Sequence, residues 1–254
     1  IAFDLDDTLA ASKSQINDVM AGTLRRLLEK YDVCIISGGK FEQFKLQVID
    51  RLGASNEQLN RLHIMPTCGT RYYRYDDVTR EWKLMYSNDL TVEQKKRIMT
   101  VLEKGARKLG IWEEKTYGDI IEDRGSQVTW SALGQDIVEH LGEEGLKRKY
   151  EWDPDNSKKQ ALRDLIAPEL PDVEVRVGGK TSVDITMIGV DKAYGMRKLI
   201  EQLAISQDEV LFIGDMLQEG GNDYPVKATG VDTLEVPGYE ATPYVIEGIL
   251  AVTK

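Results

Sequence analysis

The sequence predicts an α/β protein: a doubly wound parallel sheet with a separate α+β module inserted into it. Three observations carry that expectation. Short apolar runs, the mark of strands buried on both faces, each end in a polar or glycine-containing loop: Ile1-Ala2-Phe3 before Asp4, Val33-Cys34-Ile35-Ile36 before Ser37, and Val210-Leu211-Phe212-Ile213 before Gly214-Asp215. Segments with helical periodicity alternate with these runs. Between residues 85 and 187 the texture changes to charged helix and hairpin-like patterns.

Taken in order, Ile1 to Phe3 read as the end of a buried strand. Met20, Leu24, Leu27 and Leu28 fall on one face of a helix over 17–31. A strand over 33–36 follows, then Ser37-Gly38-Gly39 and a helix carrying Phe41, Phe44, Val48 and Leu52. The inserted stretch predicts a long charged helix over 91–109, a hairpin over 120–133, a helix over 157–166 and β runs over 173–177 and 182–186. The chain returns at Gly189 to a helix over 193–203, the strand over 210–213 and a terminal helix over 242–251. The domain reading is a core of 1–84 and 188–254 around an insertion of 85–187; one continuous domain is the alternative that the length permits.

Composition narrows the partners. Thirty-three basic residues against 43 acidic ones give a net charge of −10, which disfavours nucleic acid and anionic membrane but not a small anion in a local pocket. Cys34, inside an apolar run, and Cys68, in a loop-like segment, form neither a disulfide framework nor a metal-ligand spacing and read as ordinary thiols. With no 18-residue apolar span and no secretory leader, the expectation is a soluble cytoplasmic protein. The chain begins on Ile within a strand, so a leading segment can precede it. His63 and His140 lack ligand-like neighbours and read as packing residues; Trp82, Trp112, Trp130 and Trp152 lie in or beside the insertion, where core packing accounts for most of them.

The chemistry starts at Asp4-Leu5-Asp6-Asp7-Thr8. At the two-residue strand period, Asp4 and Asp6 project to the same side of the strand's carboxyl end. Two crowded acids need a counter-charge, and Mg²⁺ supplies it: it takes oxygen ligands, is held by one or two carboxylates, and keeps other positions for water or phosphate oxygens. Asp4 is then placed to attack phosphorus. The plain alternative for an Asp-rich loop after a strand is turn formation and helix capping. Lys192, taken alone, reads as readily as a solvated lysine at a helix start.

Asp4-Leu5-Asp6-Asp7-Thr8, Ser37 after a strand, Lys192 at a helix start, and Gly214-Asp215 with Asn222-Asp223 resemble, in order, the four motifs of the haloacid dehalogenase superfamily. The insertion between the second and third motifs resembles the type-two cap of its sugar-phosphatase branch. Within that branch the likeness is closest to eukaryotic-type phosphomannomutases. It rests on Ser37-Gly38-Gly39 before Phe41-Glu42, Gly178-Gly179 before Ser182 and Asp184, Asp191-Lys192 followed by a Tyr, and Gly220-Gly221-Asn222-Asp223. The six residues between Asp215 and Asn222 are a lengthening shared with the mutases.

The resemblance implies a Rossmann-like core, Mg²⁺ as cofactor and an aspartyl-phosphate mechanism. Asp4 is the implied nucleophile and Asp6 the acid and base. Ser37, Gly38 and neighbouring backbone N–H groups bind phosphoryl oxygens, and Lys192 neutralises the transferring group. Asp215 completes a metal site with Asp4 and the Asp6 carbonyl, while Asn222 or Asp223 holds the metal's waters or Lys192. Asp7 departs from the Gly common in the mutases, and Thr8 reads as structural or as a loop hydrogen bonder.

The cap decides the substrate. A mutase clamps a second phosphate with arginine forks. Here Arg124 matches one such arginine, but Gln135 stands in place of another and Tyr117 falls where a third is expected. A lost charged hydrogen bond costs about 1.5–3 kcal/mol. Ser182 and Asp184 match sugar-contacting positions, with Lys180 a candidate anion contact beside them. The expectation is a Mg²⁺-dependent phosphatase of sugar phosphates or similar small phosphoesters, with phosphomannomutase as the alternative and a non-enzymatic phospho-ligand binder as a third reading. Hinges near Met85 and Ile188 would let the cap close, and an apolar cap edge would pair two chains as in the mutases.

Overall fold

The apolar runs of the sequence become the interior strands of a parallel sheet. In the computed structural model, which describes residues 1–253, the strands in chain order are β1 (Ala2–Asp4), β2 (Val33–Ile36), β3 (Leu62–Met65), β4 (Arg71–Asp76), β5 (Glu81–Ser87), β6 (Ile121–Asp123), β7 (Gln127–Ser131), β8 (Val173–Val177), β9 (Ser182–Met187), β10 (Leu211–Gly214) and β11 (Asp232–Glu235). They divide between two compact units, Ile1–Ser87 with Val190–Lys254, and Asn88–Gly189.

The first unit carries a sheet of order β11-β10-β1-β2-β3-β4-β5, parallel from β11 to β3. Every residue of β1, β2 and β3 is buried; β1 up to Phe3 and β2 read as apolar runs for that reason, whereas His63 interrupts β3, which the sequence reading lacks. From β1 the chain winds outward through β2 and β3; after the insertion it winds the other way through β10 and β11. The reversal lies between β1 and β10, and at such a switch point a crevice opens beyond the carboxyl ends of the strands. This is the doubly wound sheet that the sequence predicts. The β4–β5 hairpin is an antiparallel edge that the sequence reading lacks. Its alternating tyrosines and charges give no apolar run, and its burial comes from rings packing across elements: Tyr73 stacks on Phe41 at 4.1 Å and Trp82 lies 6.1 Å from the same ring. Trp82 thus packs in the first unit.

Helix Asp18–Leu28 buries Met20, Leu24, Leu27 and Leu28, and the Asn17 side chain caps it by accepting from the Met20 N–H. The helix expected around Phe41 to Leu52 is irregular: Phe41–Phe44, a π turn at Lys45–Ile49, then Asp50–Leu52. His63 is buried with its Nδ1 2.7 Å from the Tyr72 hydroxyl; burial, aided by Arg74, pushes it down to about 4, so it packs as a neutral ring. The terminal helix is Thr242–Val252.

The second unit is an antiparallel sheet, β6-β7-β9-β8. Helix Val92–Lys108, started by a Thr91–Gln94 capping box, and helix Ser157–Ile166 supply Ile98, Leu102, Ala106, Leu162 and Ile166 to a core with Val128, Trp130, Val183 and Ile185. The alternate residues of β7 and β9, Gln127, Thr129 and Ser131 with Ser182, Asp184 and Thr186, form a polar face. Trp130 is fully buried edge-on to Trp152, and His140 is exposed. Helices Ile137–Leu141 and Glu143–Trp152, hinged at Gly142, were not legible because charges break their apolar periodicity.

Met85 lies inside β5, next to the pair Tyr72 and Tyr86, so pairing with β4 carries the first unit through Ser87. On the return, the Gly189 N–H donates to the Glu174 carboxylate of β8 at 3.1 Å, and the second unit runs to Gly189. Among the described residues no helix is long and apolar enough to cross a membrane.

Candidate active site

Asp4 is the last residue of β1, level with Ile36 of β2, and its neighbour Phe3 is level with Ile213 of β10. Asp4, Ser37 and Asp215 therefore leave the sheet at the same end, beside the switch point. Lys192 arrives as the first residue of helix Lys192–Leu203, whose cap is the Asp191 carboxylate accepting from the Tyr194 N–H at 2.8 Å. The helix sits close because residue 195 is glycine: a Cβ there would lie 2.3 Å from Ile36 Cδ1 and 2.7 Å from the Cys68 carbonyl oxygen. Lys192 is 2% exposed, which excludes a solvated helix-start lysine. Its ammonium donates to Asp4 Oδ1 at 2.7 Å and to Asp223 Oδ1 at 2.6 Å. The other Asp223 oxygen, Oδ2, accepts from the Met216 N–H at 3.0 Å. Gly214 admits that carboxylate, since a Cβ there would lie 2.5 Å from Asp223 Oδ2.

Asp4, Asp215 and Asp223 each bring a carboxylate oxygen within 4.8 Å of the others. Fully ionised, three carboxylates and the Lys192 ammonium sum to −2, the charge a divalent cation neutralises. Burial pushes Asp4 up to about 8, with Lys192 opposing and Asp223 adding to the rise. Burial also raises Asp215, while the Thr8 hydrogen bond opposes it. Burial works against the charge on Lys192, but Asp4 and Asp223 outweigh it and hold its pKa above the ordinary lysine value. A buried, oxygen-only, net-negative cluster fits a hard cation such as Mg²⁺.

The Asp6 side chain stands beside this three-carboxylate cluster and not in it. Its Oδ1 accepts from the Lys13 N–H at 2.8 Å and from Gln47 Nε2 at 3.2 Å. The Gln47 amide also donates to the Ser14 carbonyl at 2.8 Å, so this buried residue of the π turn pins the loop after β1. Sequence reasoning missed Gln47 because it falls within an apparently ordinary amphipathic helix. Thr8 is fully buried and donates to Asp215 Oδ1 at 3.0 Å. Asp7 has φ +62°, the left-handed region that explains why glycine suits this position, and its carboxylate accepts from the Ser12 N–H. Ser37 is buried, with its hydroxyl accepting from the Gly39 N–H at 3.3 Å, and a Cβ on Gly38 would meet open space. Asn222 is exposed; Asp223 is the residue that engages Lys192.

Arg124, Lys180, Ser182 and Asp184 belong to the second unit. Arg124 donates through Nε to Glu122 at 2.7 Å and through Nη2 to Gln135 Oε1 at 3.1 Å. Asp184 accepts from the Thr129 hydroxyl at 2.7 Å, and Ser182 lies opposite Ser131. Lys180 lies over the Tyr150 ring at 4.7 Å. Arg176, paired with Asp184 in register, bridges Glu174 at 2.8 Å. Both arginines of this face therefore have glutamate partners. Glu122 and Glu174 were missing from the sequence reading, although each stands two residues from its arginine, the spacing that puts both on one face of a strand.

The model of the haloacid dehalogenase-like hydrolase family matches residues 1–225. A phosphomannomutase of Encephalitozoon cuniculi is 26% identical over 234 residues, covering 88% of this chain and 82% of its own. A haloacid dehalogenase-like hydrolase from Bacteroides thetaiotaomicron superposes with a TM-score of 0.63 at 19% identity, covering 98% of both chains. An IMP-bound Plasmodium falciparum IMP-nucleotidase does so with a TM-score of 0.65 at 17% identity, covering 99% of this chain and 68% of its own. With its acidic motifs gathered at the switch point of a doubly wound sheet, and a family match over most of its length, the chain belongs to the haloacid dehalogenase-like hydrolases and is an enzyme.

Proposed function

We propose that this enzyme is a Mg²⁺-dependent phosphatase of sugar phosphates or similar small phosphoesters. The observation that carries the reading is the buried Asp4–Lys192–Asp223 arrangement with Asp215 beside it. Asp4, Asp215 and the Asp6 carbonyl would hold Mg²⁺, which supplies charge neutralisation for the transferring phosphoryl group. An Asp4 carboxylate oxygen attacks phosphorus, the bond from phosphorus to the ester oxygen breaks, and Asp6 gives that oxygen a proton. Water then attacks the aspartyl phosphate, Asp6 recovers a proton from it, and inorganic phosphate leaves with Asp4 restored. Ser37, Gly38 and Lys192 hold the phosphoryl oxygens throughout.

The choice of phosphatase rests on the second unit. Arg124 shares its guanidinium with Glu122 and Gln135, and Arg176 with Glu174, so this face offers less uncompensated positive charge than a second phosphate demands. Ser182, Asp184 and Thr129 offer hydroxyl and carboxylate groups suited to a polyol. The phosphomannomutase relatives favour the competing mutase reading. One assay separates them: mannose 1-phosphate, glucose 1-phosphate and IMP with Mg²⁺, with and without a hexose 1,6-bisphosphate, scoring free phosphate and hexose 6-phosphate together. Phosphate without isomer is expected; isomer without phosphate would establish the mutase instead.

Metal binding should also move a proton. At pH 7, below the value of about 8 to which Asp4 is pushed, the metal-free carboxyl holds a proton that Mg²⁺ must displace. Release of up to about one proton per chain is expected, with affinity falling as pH drops below 8. Calorimetric titration in buffers of different ionisation enthalpy measures it, and heats independent of the buffer would contradict the assignment.

A further inference from the structure

Thr242 opens the terminal helix, with Ala241 at the cap position and Pro243 in the first turn. Threonine hydroxyls near a helix start ordinarily hydrogen-bond to nearby backbone groups. Here the hydroxyl points out of the helix and donates to the backbone carbonyl of Thr8 at 2.6 Å, a contact between residues 234 apart in sequence. Both threonines are fully buried. Thr8 in turn donates its own hydroxyl to Asp215 Oδ1 at 3.0 Å. The helix that carries Thr242 is anchored by Ile246, which is fully buried in the core with Leu24, Leu27, Leu28 and Phe3. A rigid element therefore reaches the Asp215 carboxylate through two consecutive hydrogen bonds.

We propose that Thr242 is a positioning residue for the metal carboxylate: by holding the Thr8 backbone it aims the Thr8 hydroxyl at Asp215 and fixes which Asp215 oxygen is left for the cation. The inference deepens the phosphatase reading and rests on its assignment of Asp215 as a metal ligand. Partners one step beyond the ligands orient them, and their loss weakens metal affinity without removing a ligand. Thr242→Val keeps the shape and removes the donor, whereas Thr242→Ser keeps the donor.

The test is direct titration of the full chain with Mn²⁺ alone, followed by electron paramagnetic resonance, which reads binding independently of turnover. Thr242→Val is expected to weaken Mn²⁺ binding about 10-fold, and Thr242→Ser to restore it to within about twofold of wild type. Thr8→Val should cost as much as Thr242→Val, and the double variant no more than Thr8→Val alone, since both act through one path. If Thr242→Val fails to fold, the comparison of Thr242→Ser with Thr8→Val and Thr8→Ser carries the test. Mn²⁺ affinity in Thr242→Val equal to wild type, additive losses in the double variant, or equal weakening in Thr242→Ser would overturn the positioning role while leaving the metal site intact. An Asp215→Asn variant that binds Mn²⁺ like wild type would overturn the site assignment itself, and the role of Thr242 with it.

Discussion

Asp4→Asn is expected to abolish phosphate release, a loss on the order of 10⁴-fold or more, because an amide in the same shape cannot form the covalent intermediate. The fold should survive. In the variant Lys192 keeps its pair with Asp223, and burial already works against the charge on Asp4. Its melting temperature should stay within a few degrees of wild type in the absence of metal. Brief exposure of wild type to substrate, acid quenching and intact-mass measurement should show a population heavier by one phosphoryl group, absent from Asp4→Asn. A variant keeping a tenth or more of wild-type turnover would sink the assignment of Asp4 as nucleophile.

Lys192→Met should damage both stability and activity. The ammonium lies between two carboxylates that are 3% and 0% exposed, and removing it leaves both without their cation. Breaking a buried ion pair by deleting one partner costs about 3–5 kcal/mol. For a chain of this size that is a fall in melting temperature of roughly 6–20 °C. The sign of the pH dependence follows from the carboxylates. Without Lys192 the folded-state pKa of Asp4 rises further above that of the unfolded chain, so the stability this group contributes is present at low pH and is lost as pH rises. The gap between variant and wild type should therefore widen as pH rises through about 8, from about pH 7 to about pH 9, and Mg²⁺ should narrow it by binding the folded state. Denaturant titrations across that range measure it, and a loss below about 1 kcal/mol at pH 8 would show that the cluster does not depend on Lys192 for its charge balance.

The core of the fold was legible because parallel strands buried on both faces must be apolar throughout. Ile1-Ala2-Phe3, Val33 to Ile36 and Val210 to Ile213 therefore announced β1, β2 and β10, and the acidic and serine residues that follow them announced the site. The β4–β5 hairpin announced nothing of the kind, since Tyr73 and Trp82 are half-buried against Phe41, a partner thirty to forty residues upstream. The π turn at Lys45–Ile49 was equally silent.

The sequence by itself determined the class of this protein, the order of its parts and the residue types of its chemistry, because strand burial and the demand for oxygen ligands both act locally along the chain. Only the tertiary structure decided that Lys192 is buried between Asp4 and Asp223, that Gln47 donates to Asp6, and that Thr242 reaches Asp215 through Thr8. Each is a hydrogen bond or ion pair set by packing, strand register or helix docking, and a charge's partner in space leaves no trace in its neighbours along the chain.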